Sequence, residues 1–203
     1  MKIICIGRNY LEHVQELNNK LPTEPLFFLK PDTALVIRNR PFFYPEFSSD
    51  VHYEVELVFR ICKVGKHIQE KFAPNYYKEI AIGLDMTARD LQREAASKGL
   101  PWEKAKGFDR SAPISPFVPI ADYPDIANLN FSLQKNGEIV QHGNSSQMIF
   151  SINKIIAHVS QFITLKTGDM FFTGTPPGVG PVQIGDKLEA FIEDKKMLMC
   201  NVR

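Results

Sequence analysis

The sequence predicts an α+β, β-rich fold, and three observations carry that expectation. Short runs that are apolar or alternate at period two recur along the whole chain. Only two or three stretches carry the helical period, and they do not alternate with the strands as a doubly wound sheet demands. The 203 residues are 44% hydrophobic and 23% charged, enough for one full core, so a single domain over 1–203 is expected.

Residues 2–6 read as a short buried strand, and Gly7-Arg8-Asn9-Tyr10 turns it into a helical stretch over 11–17. On a helix, His13 and Glu16 lie one turn apart. A carboxylate beside an imidazole fixes its tautomer and raises its basicity, which makes this pair a candidate general base, although scattered polar residues on a surface helix look the same. Residues 26–29 form a second strand, stopped at Lys30-Pro31-Asp32 because proline biases its neighbour away from helix. The Pro- and Phe-rich stretch from Asn39 to Ser49 reads as packing and loop.

Residues 52–62 read as one strand. At period two, His52, Glu54 and Glu56 project from one side and Tyr53, Val55 and Leu57 from the other, so one face is expected to be core and the other acidic. Carboxylates two residues apart are separated by roughly 6.5–7 Å at the backbone, so their side chains can converge on one point. Crowded together in a partly buried place, such a pair keeps a proton or holds a cation; on an exposed strand it is merely solvated. A charged loop over 63–71 follows.

The apolar run 79–84 ends at Asp85, where the period turns helical. Thr87-Ala88-Arg89-Asp90 has the shape of a capping box, with a good helix former continuing to Ser97. Asp85 thus sits at a strand-to-helix corner, a place where backbone is held but side chains stay open. Arg89 and Gln92, one turn apart, share a helical face. Residues 98–109, with the only tryptophan and three lysines, read as an exposed basic loop, and the proline-rich 113–119 as edge or irregular β structure.

Residues 129–135 alternate at period two and meet Asn136-Gly137, the strongest short hairpin signal, before 138–141. Ile152, Ile155, Ile156, Val159 and Phe162 trace one apolar helical face, with His158 a structural residue beside it. Gly168-Asp169 turns into a strand at 170–173. The loop over 174–181 is rigid and poor in side chains, and it lacks the Gly-Lys-Ser/Thr ending that would cradle a nucleotide phosphate. Strands over 186–192 and 196–201 close the chain as a hairpin.

A net charge of +1 offers no field for nucleic acid or an anionic membrane, and neither is an expected partner. Cys5, Cys62 and Cys200 are odd in number and widely spaced, which disfavours a disulfide framework or a thiolate zinc site and suits a reduced compartment. The opening apolar run is too short for a signal peptide, so the cytoplasm is the expected location. Glu54, Glu56 and Asp85 together supply hard oxygen ligands of the kind Mg²⁺ or Mn²⁺ prefers. A cation with open positions suits a substrate that chelates through adjacent oxygens, such as a 2-oxo acid.

The ordered set Gly7-Arg8-Asn9-Tyr10 with His13 and Glu16, Phe28-Leu29-Lys30-Pro31, His52-x-Glu54-x-Glu56, Leu84-Asp85-Met86-Thr87-Ala88-Arg89-Asp90, Lys98-Gly99-Leu100-Pro101-Trp102 with Lys106, Asn136-Gly137-Glu138, and Thr173-Gly174-Thr175-Pro176 resembles the fumarylacetoacetate hydrolase family over nearly the whole chain. The pattern is that of the short branch of acylpyruvate hydrolases, oxaloacetate decarboxylases and homoprotocatechuate-pathway isomerases. The resemblance implies a mixed β-sandwich roll, a homodimer, and Mg²⁺ or Mn²⁺ held by Glu54, Glu56 and Asp85. It also implies a catalytic His13 and Glu16 dyad on a lid, a catalytic Lys106, and substrate contacts from Arg8, Tyr10, Arg89, Gln92 and Thr175.

The full-length members carry a further N-terminal domain ahead of this stretch, so fumarylacetoacetate itself is not the expected substrate. The expected activity is metal-dependent hydrolysis or lysis of small 2-oxo acids through a metal-stabilised enolate: acylpyruvate C–C hydrolysis, oxaloacetate decarboxylation, or both. Isomerisation or decarboxylation of a hydroxyheptadienedioate is the alternative. A non-catalytic oxo-acid binding protein would need the three carboxylates but not the dyad. His52 shares the face of the two glutamates, and its role is left open between pointing into the site with them and supporting it from behind.

Overall fold

A computed structural model describes residues 1–16 and 20–203. Leu17, the last residue of the expected first helix, lies outside the described residues; the helix is seen over Leu11–Glu16. The central six-stranded sheet runs in the order Leu26–Lys30, Ile3–Gly7, Met170–Phe172, Val55–Ile61, Tyr77–Leu84, Val118–Pro119. It is mixed: Ile3 pairs with Met170 and Cys5 with Phe172 in parallel, while the other neighbours are antiparallel. The proline-rich segment lies at the sheet edge, where a missing backbone N–H costs no ladder bond.

Antiparallel strands Glu138–Asn144, Asn130–Lys135, Lys187–Ile192 and Lys195–Asn201 form a second sheet. Its first hairpin turns on Asn136 (φ 56°) and Gly137 (φ 90°), both in the left-handed region that matches strand twist. The helix Ile152–Phe162 is capped by Ser151, whose side chain accepts from the Lys154 amide. It buries Ile152, Ile155, Ile156 and Val159, while Phe162, expected on the same face, is 58% exposed at the last turn.

The main core lies between the two sheets. Ile4, Ile6, Leu57, Phe59, Ile80 and Ile82 from the first meet Phe131, Leu133, Leu188, Ala190 and Leu198 from the second. Each such side chain, fully buried, contributes about 1.5–3 kcal/mol. The residues that alternate with them, Ile3, Cys5, Val58, Ala81 and Phe172, fill a second core with Ala112 and Ile114. The expectation of one apolar and one acidic face for the Glu56 strand therefore fails beyond Glu56. Both faces of the central sheet are covered, and acid is confined to one end of the strand.

The expected single strand over 52–62 is two. Val51–Tyr53 pairs with Thr87–Ala88 and Gly180–Pro181 in a small separate sheet, whereas Val55–Ile61 belongs to the central one. The switch falls on Glu54. Its carbonyl accepts from the Asp85 amide at 2.8 Å, and the next amide, Val55 N–H, donates to the Gln141 side chain at 2.9 Å. A strand passing between sheets needs such a corner, and here the corner is acidic.

The expected capping box at Thr87 is absent. Thr87–Ala88 is extended, and the helix Arg89–Lys98 starts without a side-chain bond from its N-cap. The Thr87 hydroxyl donates instead to the Asp85 carbonyl at 3.1 Å, and Asp90 binds Leu91 N–H (2.9 Å) and the Ser48 hydroxyl (2.7 Å).

Candidate active site

Register brings the acids together. Val55 pairs with Leu84 and Glu56 with Gly83, so Glu54 and Asp85 face each other just past the sheet end. One carboxylate oxygen from each of Glu54, Glu56 and Asp85 lies within 4.8 Å of the others, and all three residues are buried. Three carboxylates taken from water so close together repel strongly unless cations stand beside them.

Buried cations stand there. Arg89, at the first turn of its helix, donates to Glu54 Oε1 at 2.5 Å. Lys106 Nζ donates to Glu54 Oε2 (2.7 Å), Asp85 Oδ2 (2.7 Å) and the Thr87 hydroxyl (2.6 Å), which uses all of its hydrogens. The short helix Glu103–Lys106 delivers it, 3% exposed, from the segment expected to be an exposed basic loop. Only packing of that segment across the sheet end turns the side chain inward.

The trio is not electrically uniform. Burial pushes the Glu54 carboxyl up, but Lys106 and Arg89 outweigh it and hold the group well below the usual carboxylate range. Burial, Asp85 and Glu54 raise Glu56 well above that range, against the pull of Lys106 and of Gly174 N–H at 2.7 Å. Burial lowers Lys106, but Asp85 and Glu54 more than reverse it, and the ammonium is held charged.

A cavity of about 350 Å³ opens over these groups. Arg8, His13, Arg89, Gln92, Lys106 and Thr175 line it together with the three acids, and Phe28 and Trp102 form an apolar wall, edge to face at 6.0 Å. Arg8 adopts φ 59° where the first strand turns into the helix that carries His13. Asn9, fully buried, pins this turn by donating to the Phe150 and Thr173 carbonyls (3.0 and 2.8 Å) and accepting from Phe150 N–H (2.8 Å).

His13 Nδ1 is 2.9 Å from Glu16 Oε2, and Glu16 Oε1 accepts from Gly178 N–H at 3.1 Å. Glu16 does not itself line the cavity; it holds the imidazole from behind. Because a carboxylate only accepts, Nδ1 carries the hydrogen and Nε2 presents its lone pair.

One expected site residue lies elsewhere. Tyr10 is 1% exposed, its ring packs edge-on against Phe131 at 6.1 Å, and it does not reach the cavity wall, because the turn at Asn9 directs it into the core. His52 does not line the cavity but reaches it from behind: its Nε2 bonds Asp50 Oδ1 at 2.9 Å, and Asp50 accepts at 2.6 Å from Arg93, which does line it. The break at Glu54 ends the alternation that would have aligned His52 with the glutamates.

Sequence reasoning missed Lys30 and Gln141 as site residues. The only sequence signal of Lys30 is its place as the polar residue that closes an apolar strand. Its ammonium is 2.7 Å from Asp85 Oδ1, close enough for an ion pair but out of line for a hydrogen bond, and it donates to Ser111 Oγ at 2.8 Å.

The model of the fumarylacetoacetate (FAA) hydrolase C-terminal family matches residues 2–203. The chain belongs to the fumarylacetoacetate hydrolase family. Within that family it is 47% identical over 191 residues to the mouse (Mus musculus) mitochondrial oxaloacetate tautomerase FAHD1, covering 94% of this chain and 86% of that one. It is 43% identical over 192 residues to a mitochondrial oxaloacetate decarboxylase of Dictyostelium discoideum, covering 94% and 88%. A crystal structure of fumarylpyruvate hydrolase from Pseudomonas aeruginosa, in complex with Mn²⁺ and pyruvate, superposes with a TM-score of 0.94 at 38% identity, covering 100% of this chain and 89% of that one. The α+β sandwich expected of the family is the observed fold.

The acidic trio fits the divalent cation that this relative carries. Its donors are hard oxygens, Glu56 Oε1 has no hydrogen-bond partner among the described residues, and Lys106 Nζ already stands between Glu54 and Asp85 as an internal cation.

Proposed function

We propose that this chain is a divalent-metal-dependent enzyme acting on small 2-oxo acids as a single catalytic domain over 1–203. Its reactions are acylpyruvate C–C bond hydrolysis, oxaloacetate decarboxylation, or both. The observation that carries the reading is the placement of His13, backed by Glu16, on the same cavity as Glu54, Glu56 and Asp85. A binding protein has no use for that oriented base.

Mg²⁺ or Mn²⁺ held by the three carboxylates would supply Lewis-acid polarisation of the 2-oxo carbonyl. The chain's own groups do the rest. Arg89, Gln92, Arg8 and Thr175 bind and orient the acid. Gln92 Oε1 takes a hydrogen from Arg89 at 2.5 Å, so its amide N–H₂ is left for the substrate. Lys106, which bridges Glu54 and Asp85, would turn its donors toward the developing negative charge once those carboxylates were engaged by the cation.

In hydrolysis, His13 Nε2 takes a proton from water, the hydroxide adds to the distal carbonyl carbon, and the C3–C4 bond breaks. The electron pair passes to C3, and the fragment leaves as pyruvate after protonation there. Decarboxylation of oxaloacetate breaks the bond from C3 to the carboxylate without water attack. Moving a proton at C3 by the same dyad is enough for keto–enol tautomerisation, the activity in the mouse relative's name, or for isomerisation of a hydroxyheptadienedioate.

A homodimer, and a reducing compartment such as the cytoplasm or the interior that the mitochondrial relatives occupy, belong to the same proposal; the three cysteines are free thiols. The test is an ultraviolet assay with acetylpyruvate, fumarylpyruvate, oxaloacetate and a hydroxyheptadienedioate, with and without Mg²⁺. Cation-dependent loss of enol absorbance is expected with at least one; no change with any overturns the reading in favour of a binding protein.

A further inference from the structure

Gln141, 1% exposed on the strand Glu138–Asn144, has a side-chain amide with only one workable orientation. Its Oε1 lies 2.9 Å from Val55 N, which can only donate, and its Nε2 lies 2.9 Å from the Pro176 carbonyl oxygen, which can only accept. A flipped amide would set hydrogen against hydrogen and oxygen against oxygen. The second Nε2 hydrogen therefore goes to Thr175 Oγ1, at 2.9 Å.

That fixes the polarity of Thr175. Its oxygen accepts from Gln141, and among the described residues its own hydrogen has no protein acceptor. Thr175 is 3% exposed and lines the cavity beside the acidic trio. We infer that Gln141 is a positioning residue that locks the Thr175 hydroxyl as a hydrogen-bond donor to the substrate, so that this wall selects a carboxylate or ketone oxygen. The inference rests on the proposed 2-oxo acid activity and adds to it the residue that sets the direction of one substrate contact.

The probe is oxalate, an unreactive acid with adjacent carboxylate oxygens, titrated calorimetrically into the Mg²⁺-loaded protein. Gln141→Met and Thr175→Val are each expected to weaken oxalate by about tenfold, the order of one hydrogen bond to a charged group. The double variant should bind no more weakly than Thr175→Val alone, because Gln141 acts through that hydroxyl. Thr175→Ser should retain native affinity, and the KM for oxaloacetate should rise in parallel in the weakened variants.

Losses that multiply in the double variant, or native affinity in Gln141→Met, overturn the inference. If thermal melting shows Gln141→Met unfolded, Gln141→Glu replaces it: it still accepts from Val55 but now also takes the Thr175 hydrogen, so oxalate should weaken about tenfold, and unchanged binding overturns the inference. Native protein that neither binds oxalate nor turns over oxaloacetate overturns the functional reading, and this inference with it.

Discussion

Lys30 Nζ and Asp85 Oδ1 stand 2.7 Å apart in an ion pair whose side chains are 0% and 2% exposed. The same ammonium shares its three hydrogens among Ser111 Oγ (2.8 Å) and the carbonyls of Lys106, Ser111 (3.2 Å) and Met86 (3.3 Å). Lys30 thus ties the end of the central sheet to the helix that delivers Lys106. Desolvating a lysine is costly, and only such dense compensation makes it tolerable.

Removing one partner of this pair should be severe. Lys30→Met is expected to lose about 3–5 kcal/mol of stability, the range for breaking a buried ion pair, in urea unfolding followed by circular dichroism. A loss below about 1 kcal/mol, the level of an exposed pair, would show that the pair does not hold the fold.

His13→Ala should separate chemistry from cation binding. The imidazole is bonded to Glu16 and is not one of the clustered acids, so calorimetric binding of Mn²⁺ should survive while turnover of oxaloacetate falls by about 10²–10⁴. Glu54→Ala should abolish both, since it also leaves Arg89 and Lys106 without a shared partner. Native turnover in His13→Ala would remove the dyad from the mechanism.

Glu56 sets a pH dependence for the cation-free protein. Its folded pKa is raised by burial, Asp85 and Glu54, whereas the unfolded carboxyl titrates near the ordinary ~4.3. Between those values the folded state keeps a proton that the unfolded chain has lost, so stability falls as pH rises through that window. Glu54 is shifted the other way; its contribution is complete above about pH 5 and does not mask the slope. The Glu56 contribution to urea midpoints in EDTA should therefore drop as pH rises above the ordinary carboxylate range. Glu56→Gln should flatten the drop, and saturating Mg²⁺ should reverse it, because the cation binds the ionised carboxylate. A rising midpoint in EDTA would contradict the assignment.

Gly174→Ala should damage both fold and site. At φ 94°, an added Cβ would come within 2.8 Å of Asn9 Cβ and 3.1 Å of the Ile6 carbonyl, on the residue whose amide holds Glu56. A loss of about 1–3 kcal/mol is expected from the backbone strain alone, read as a lower melting temperature together with weaker Mn²⁺ binding. An unchanged melting temperature would show that the loop has room to relax.

The features legible in the sequence are those that local physics decides. Asn136-Gly137 is a turn because two successive left-handed residues are cheap only for such a pair, and Ile152, Ile155, Ile156 and Val159 mark a helix because its period is local. The spacing of Glu54 and Glu56, the strand end at Asp85 and the one-turn offset of His13 and Glu16 are likewise local, so these five residues are legible without any packing.

Tertiary structure decided which local regularities survive. The strand through His52 breaks at Glu54 because the Asp85 amide and the Gln141 side chain claim the backbone there, and with the break His52 loses alignment with the glutamates and bonds Asp50 instead. Thr87 gives up its capping role because the buried Asp85 carbonyl and Lys106 compete for its hydroxyl. Lys30, Lys106 and Gln141 look solvent-facing in a one-dimensional reading. They are buried because partners far along the chain, at separations that reach 52, 56 and 86 residues, compensate their desolvation. By itself the sequence determined the acids, the base and the elements that carry them. Packing alone chose the buried polar side chains that hold those groups in place, since a long-range partner leaves no periodic trace in the residues around it.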